Sequence, residues 1–261
     1  MADATDNHPG LGRILVIIPT YNEAENIELI TSRLRTCVPA AHILIADDNS
    51  PDGTGEIADR LAAADDHIQV LHRPGKEGLS AAYLAGFRWG LERDYDVLVE
   101  FDADGSHQPE QLHRLLDALV AGADMVKGSR WVRGGSVVNW PLQRELLSRA
   151  GSVWTRLMLG MPIKDVTGGL NAFRAETLRR IIDDIEAEGY GIQRDLTWHT
   201  YQSGMTVVEV PIDFKERERG DSKMTSDVFF EALRQTTKMG IRHRLGQIKS
   251  VVRKESRPIT R

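Results

Sequence analysis

A single cysteine, Cys37, occurs in the 261 residues. No intramolecular disulfide and no thiolate metal cluster can form, so redox stapling is excluded and a reducing, cytosolic setting is expected. Long hydrophobic runs are missing too: stretches such as Ile14 to Ile18 stop far short of the roughly 20 residues that span a bilayer. The start of the chain, Met-Ala-Asp-Ala-Thr-Asp-Asn-His-Pro, is polar and acidic. It lacks the basic beginning and apolar stretch of a signal peptide and reads as a short flexible arm over 1–12. There is no internal repeat and no low-complexity linker. One domain over 13–230, followed by an appended segment over 231–261, is the economical reading.

What is present is ordinary for a globular protein, with 41% hydrophobic and 27% charged residues. The charge is unevenly placed. From Ala232 to Arg261 nine Lys or Arg face one acid, Glu255, a surplus of +8 that leaves −13 for the remainder of the −5 total. Met239, Ile241, Leu245, Ile248 and Val252 recur among those charges at roughly helical spacing. That pattern fits a basic amphipathic segment resting on an anionic membrane surface, or a solvated terminal helix. Nucleic acid is disfavoured as a partner, because the rest of the chain is acidic.

Apolar strands alternate with amphipathic helices through the first half. Strands are expected at Arg13–Ile18, His42–Ala46, Ile68–Leu71, Tyr95–Phe101 and Ala123–Gly128. Helices are expected at Glu23–Val38, Gly55–Ala64 and Leu79–Leu91, with a further one started by Pro109. This order implies an α/β fold with a mainly parallel sheet covered on both faces. Later come a helix through Ser148 to Met158, a turn from Asp165 to Asn171, a helix near Ile192 to Tyr201 and a strand from Thr206 to Phe214. Ligands of open parallel sheets bind beyond the carboxyl ends of the strands. Three such ends are polar: Pro19-Thr20-Tyr21-Asn22-Glu23, Asp47-Asp48-Asn49-Ser50 and Asp102-Ala103-Asp104.

The last of these is the most informative. A hydrophobic strand that ends in two carboxylates is costly unless a cation or hydrogen-bond donors satisfy them. All-oxygen ligands suit Mg2+ or Mn2+, with water and phosphate oxygens in the remaining positions. A plain turn after a strand is the competing reading.

Taken in order, these motifs, together with Gly128-Ser129-Arg130, Asp165-Val166-Thr167-Gly168-Gly169 and Arg217…Gly220-Asp221-Ser222-Lys223, resemble inverting nucleotide-sugar transferases of the GT-A fold. More narrowly, the run Asp47-Asp48-Asn49-Ser50-Pro51-Asp52-Gly53-Thr54 and the closing Arg…Gly-x-Ser-Lys segment resemble dolichol-phosphate or polyprenol-phosphate mannose synthases. The resemblance implies that Pro19, Tyr21, Glu23, Ala46 and Asp48 line a guanosine site. It makes Asp104 the metal ligand, with Asp102 and the Ala103 backbone near the sugar and diphosphate. It also puts Arg130, Arg217 and Lys223 at the nucleotide diphosphate or acceptor phosphate, and Arg144 and Ser148 at the lipid phosphate. Some relatives supply a further metal ligand where this chain has Ser106, a poorer one.

Asp195 is either an acid facing the sugar or acceptor, or a surface residue starting a helix. The activity implied is transfer of mannose from GDP-mannose to a polyprenyl phosphate, at the cytoplasmic face of a membrane. Contact would run through the helix bearing Leu146, Leu147, Val153, Trp154, Leu157 and Met158, through the basic tail, or through an integral-membrane partner subunit. The alternatives are another donor such as UDP-glucose, or a noncatalytic subunit that binds nucleotide sugars.

Overall fold

The computed structural model describes residues 8–186, 189–216, 233–242 and 244–245. The expectations for Arg217, Lys223, the first seven residues and residues 246–261 lie outside the described residues. The first half follows the alternating pattern: β1 (Ile14–Thr20), α1 (Ile27–Cys37), β2 (His42–Asp47), α2 (Thr54–Ala64), β3 (Ile68–His72), α3 (Leu79–Leu91) and β4 (Val97–Glu100). A 3-10 turn at Pro109–Gln111 leads into α4 (Leu112–Val120), then β5 (Met125–Ser129), β6 (Ser136–Val138) and α5 (Leu142–Leu159). β7 (Asn171–Arg174), α6 (Ala175–Ile181), α7 (Ile192–Gln202), β8 (Val207–Pro211) and β9 (Asp213–Lys215) follow.

The main sheet has seven strands in the order β3-β2-β1-β4-β7-β5-β8, and β6 pairs with β9 beside it. All main-sheet pairings are parallel except those of β7, which runs antiparallel between β4 and β5. Alternate residues of β1 feed opposite faces, as the period of two requires. Val16 and Ile18 join the core under α1, α2 and α4, while Leu15 and Ile17 join the core under α3, α6 and α7. Each such fully buried Ile, Leu or Val contributes about 1.5–3 kcal/mol. α3 lies unusually close to the sheet, since a Cβ on Gly86 would stand 2.5 Å from Ile17 Cγ2. That approach sets the start of α3 against the strand ends.

Four sequence expectations are corrected. Asn171 belongs to a strand rather than to the turn before it, and β7 and α6 were not foreseen. The expected strand from Thr206 to Phe214 is two strands in different sheets, broken at Ile212, whose N–H donates to the Ser129 carbonyl at 3.1 Å. α5 begins at Leu142, six residues before Ser148, with Pro141 at its N-terminal boundary. Asp195 is not on the surface but buried within α7.

Candidate active site

β1 is flanked by β2 on one side and β4 on the other, so the strand order reverses there, and a cleft opens beyond their carboxyl ends. It has a volume of about 320 Å³ and is lined by Pro19 at the end of β1, Tyr21 and Glu23 just beyond it, Asp48 after β2, and Asp102, Ala103 and Asp104 after β4. The structure therefore brings together seven of the residues expected from sequence. Thr20, Lys76, Gly78, Leu79, Ala82 and Gly189 complete the lining.

The exits of β1 and β2 are stapled by the polar run that follows β2. Asp47 is buried and accepts from Thr20 Oγ1 at 3.0 Å, Ser50 N at 3.0 Å and Ser50 Oγ at 2.6 Å. Ser50 Oγ in turn accepts from Asn22 N at 3.1 Å, Thr54 Oγ1 from Glu23 N at 3.0 Å, and Asp52 from Ala24 N at 3.1 Å. Asn22 and Asn49 take left-handed backbone, φ 58° and 54°, which Asn tolerates better than most residues. Asp47, Ser50, Asp52 and Thr54 thus hold the loop while Tyr21, Glu23 and Asp48 face the cleft. Ala46 sits beneath it, fully buried in register with Pro19.

Asp48 is ion-paired with Arg73, which also reaches Glu77 at 2.6 Å. Burial pushes the Asp48 carboxyl up from its ordinary value, against the pull of Arg73. Lys76 Nζ lies 4.1 Å over the Tyr21 ring. A flat aromatic face with acceptors beside it suits the base and hydroxyl edges of a nucleoside. Sequence reasoning missed Arg73 and Lys76; the only signal was a Pro-Gly-Lys-rich turn between a strand and a helix.

At the other end of the cleft, the Tyr83 hydroxyl donates to Asp102 Oδ1 at 2.9 Å, and Asp102 N–H donates to His107 Nδ1 at 3.3 Å. Burial raises the Tyr83 phenol well above its ordinary value, and the Asp102 charge adds to this, so it stays a donor. His107 is buried between Phe101 and Phe214, and that burial lowers its pKa. Sequence reasoning missed Tyr83, which lies within the helix expected over Leu79–Leu91. Asp104 Oδ1 accepts from Ser106 N at 3.0 Å, and the Ser106 hydroxyl is buried without a hydrogen-bond partner. No group of three His, Cys, Asp or Glu gathers for a metal among the described residues. Two carboxylates on an open cleft fit instead a hard divalent ion that takes its other oxygens from water and substrate.

Arg130 does not line the cleft. Its guanidinium is clasped by Asp165, Nε to Oδ2 and Nη2 to Oδ1 both at 2.7 Å, and donates to Thr167 Oγ1 at 3.0 Å. Burial opposes ionisation of Asp165, but Arg130 outweighs it and holds the carboxyl below the usual range. Arg130 also lies 5.5 Å from the centre of the Trp140 ring, on which Arg144 stacks at 4.2 Å. Arg130 and Arg144 therefore share one indole. Trp140 touches Phe214, and Phe214 touches His107, which leads back to Asp102. Arg144 is ion-paired with Glu216, and Ser148 is half-buried one turn along α5. Asp195 is held by its neighbour Arg194, Nε to Oδ1 at 2.9 Å.

A cleft at the sheet's reversal point, with a pair of carboxylates closing one strand, fits the architecture of a nucleotide-sugar transferase, and the family match assigns that class. The chain belongs to glycosyl transferase family 2, whose model matches residues 15–182. It is 56% identical over 230 residues to the undecaprenyl-phosphate mannosyltransferase of Micrococcus luteus, covering 88% of this chain and 94% of that one. It is 54% identical over 243 residues to the polyprenol monophosphomannose synthase of Mycolicibacterium smegmatis, covering 92% of each. Among solved structures, glucosyl-3-phosphoglycerate synthase from Mycobacterium tuberculosis, in complex with Mn2+, UDP and glucosyl-3-phosphoglycerate, superposes with a TM-score of 0.64 at 21% identity. That match covers 90% of this chain and 80% of the other, and it shows the shared fold.

Proposed function

We propose that the protein transfers mannose from GDP-mannose to a polyprenyl monophosphate with inversion, giving polyprenyl β-D-mannosyl phosphate and GDP. The observation that carries this reading is the cleft itself. One end offers a nucleoside Tyr21, Glu23 and Asp48; the other presents Asp102, Ala103 and Asp104 where a diphosphate and sugar would lie. The names of the Micrococcus and Mycolicibacterium relatives supply the sugar and the acceptor class.

The acceptor phosphate is already anionic near neutral pH, so it needs orientation more than a general base. Its oxygen attacks the anomeric carbon from the face opposite the nucleotide. The new C–O bond forms as the bond to the diphosphate breaks, and GDP leaves with the electron pair. Mg2+ or Mn2+ bound at Asp104 would neutralise the departing diphosphate. Tyr83 and His107 hold Asp102, and Asp165 holds Arg130; by the family resemblance Arg130 serves the nucleotide diphosphate or the acceptor phosphate, and Arg144 and Ser148 the lipid phosphate. Arg217 and Lys223 complete the phosphate-binding set by the family resemblance.

A lipid acceptor requires the site to sit at a membrane surface. No helix among the described residues is long and apolar enough to cross one. Among the described residues eleven large hydrophobic side chains are exposed, and eight of them lie on α5 (Leu142, Leu146, Leu147, Val153, Trp154, Leu157) or on the segment docked against it (Ile241, Leu245). The docking is direct: Trp154 Nε1 donates to Thr237 Oγ1 at 3.2 Å and Arg244 to the Leu157 carbonyl at 2.6 Å. Such a concentration next to basic residues is what an interfacial helix needs. It supports peripheral attachment to a membrane surface, or cover by an integral-membrane partner subunit.

Replacing Asp104 by Asn tests the chemistry. The variant should fold and lose transfer; full activity would remove Asp104 as the metal ligand.

A further inference from the structure

Beneath the cleft floor, β4, β7 and β5 contribute one polar residue each to a single rung of the sheet. Glu100 and Lys127 are the cross-strand partners of Asn171 on either side, and none of the three has any solvent exposure. Asn171 Nδ2 donates to Glu100 Oε2, and Lys127 Nζ donates to Asn171 Oδ1 at 2.7 Å. Glu100 Oε1 has no partner. The charged groups facing the rung are Asp102, Asp165, Glu209 and Arg130. Buried polar and charged groups of this kind can often be replaced by apolar side chains with little loss of stability or even a gain, so stability alone does not account for the rung.

The rung has a second set of bonds. Asn171 Nδ2 and Lys127 Nζ both reach the Gly168 carbonyl, at 3.1 and 3.4 Å. Gly168 lies in the middle of the turn that begins at Asp165, which clasps Arg130. The turn ends near Gly169, where an added Cβ would stand 3.3 Å from both Asp102 Oδ2 and His107 Cε1. At Gly168 a Cβ would stand 2.9 Å from the Gly128 carbonyl, so the turn is pressed against β5 with no slack.

We propose that the Glu100–Asn171–Lys127 rung is a positioning device for glycosyl transfer: by pinning the Gly168 carbonyl it fixes one turn that sets Arg130 at its start and Asp102 at its end. The rung touches no substrate. It keeps the phosphate-orienting arginine and the sugar-side carboxylate in register, and a misplacement of about 1 Å at such groups lowers turnover by about 10²-fold. The inference rests on the transfer reading above for its effect on rate, but not for its effect on the turn.

The test is the triple variant Glu100→Leu/Asn171→Leu/Lys127→Met. It buries no unpaired charge and removes both side-chain bonds to the Gly168 carbonyl. Three quantities are read: hydrogen exchange at the Arg130 amide, which Asp165 Oδ2 accepts at 2.9 Å; the Kd for GDP; and kcat. The expected result is Arg130 exchange about tenfold faster, GDP affinity within about twofold of the parent, and kcat about 10²-fold lower. Unchanged Arg130 protection, or unchanged kcat, in the folded variant would overturn the proposal. Glu100→Met/Asn171→Ala/Lys127→Met, which removes the same two bonds with less bulk on β7, carries the same expectation and serves if the first variant does not fold. Exchange is read without substrate. Faster Arg130 exchange in a protein whose parent transfers no sugar would therefore remove the transfer reading and leave the turn assignment standing.

Discussion

Replacing Asp165 by Asn perturbs an ion pair that is buried on both sides and joined by three hydrogen bonds. Asp165 has no solvent exposure and Arg130 is 5% exposed, so water cannot take over the solvation of the guanidinium. The carboxylate accepts three bonds from Arg130, at Nε, Nη2 and the backbone N–H. Removing one partner of a buried pair costs about 3–5 kcal/mol, because the other charge is left uncompensated. An amide keeps some of the hydrogen bonding, which puts Asp165→Asn at about 3 kcal/mol. At about 2–4 °C per kcal/mol for a chain of this size, thermal unfolding should move down by about 6–12 °C.

The pH dependence has a definite sign. Arg130 lowers the folded pKa of Asp165. The pair's stabilisation is present above the ordinary carboxylate range and is lost as pH falls through the lowered value, so parent and variant should converge in acid. The companion Arg130→Met/Asp165→Leu removes both members of the pair together, so neither is left buried alone, and should unfold closer to the parent's temperature than Asp165→Asn does, yet transfer no sugar. Calorimetry of the folded proteins decides. A shift below about 2 °C for Asp165→Asn at neutral pH would refute the claim that the clasp is desolvated and tight.

Two further outcomes are expected. Burial pushes the Glu100 carboxyl up to about 8, so the folded protein keeps that proton where the unfolded chain has released it. Stability from this group therefore declines as pH rises from the ordinary carboxylate range to about 8, by up to about 1.4 kcal/mol per pH unit. Glu100→Gln should flatten denaturant-measured stability across that window, and an identical slope in parent and variant would contradict it. On α5, Leu146→Glu/Leu157→Glu should reduce flotation with anionic vesicles while leaving GDP binding intact. Unchanged flotation would remove α5 from the membrane contact.

Much of this was legible in the sequence, and the remainder was not for physical reasons. Asp102 and Asp104 stood out because a hydrophobic strand cannot end in two carboxylates at no cost. Asp48 and Glu23 stood out because they close neighbouring strands of a regular alternating pattern. β7 did not, because Asn-Ala-Phe-Arg is short and its Asn171 is tolerable inside a sheet only when Glu100 and Lys127 flank it. That condition is set by residues 71 and 44 positions away. The clasp of Arg130 by Asp165 spans 35 residues with no periodicity to announce it. Tyr83 sits on the apolar stripe of α3, and only the close packing at Gly86 brings its hydroxyl to Asp102. The start of α5 was placed late because Leu142 and Leu146 are exposed, which removes the buried stripe by which helices are recognised.

The most direct measurement incubates the purified protein with radiolabelled GDP-mannose, a short polyprenyl phosphate and Mg2+ or Mn2+, and then extracts the lipid phase. Metal-dependent label in that phase, released by mild acid, is the expected result. Absence of label with GDP-mannose, together with transfer from UDP-glucose, would contradict the donor assignment. Absence of label from every donor, with and without membranes, would contradict the transferase reading itself.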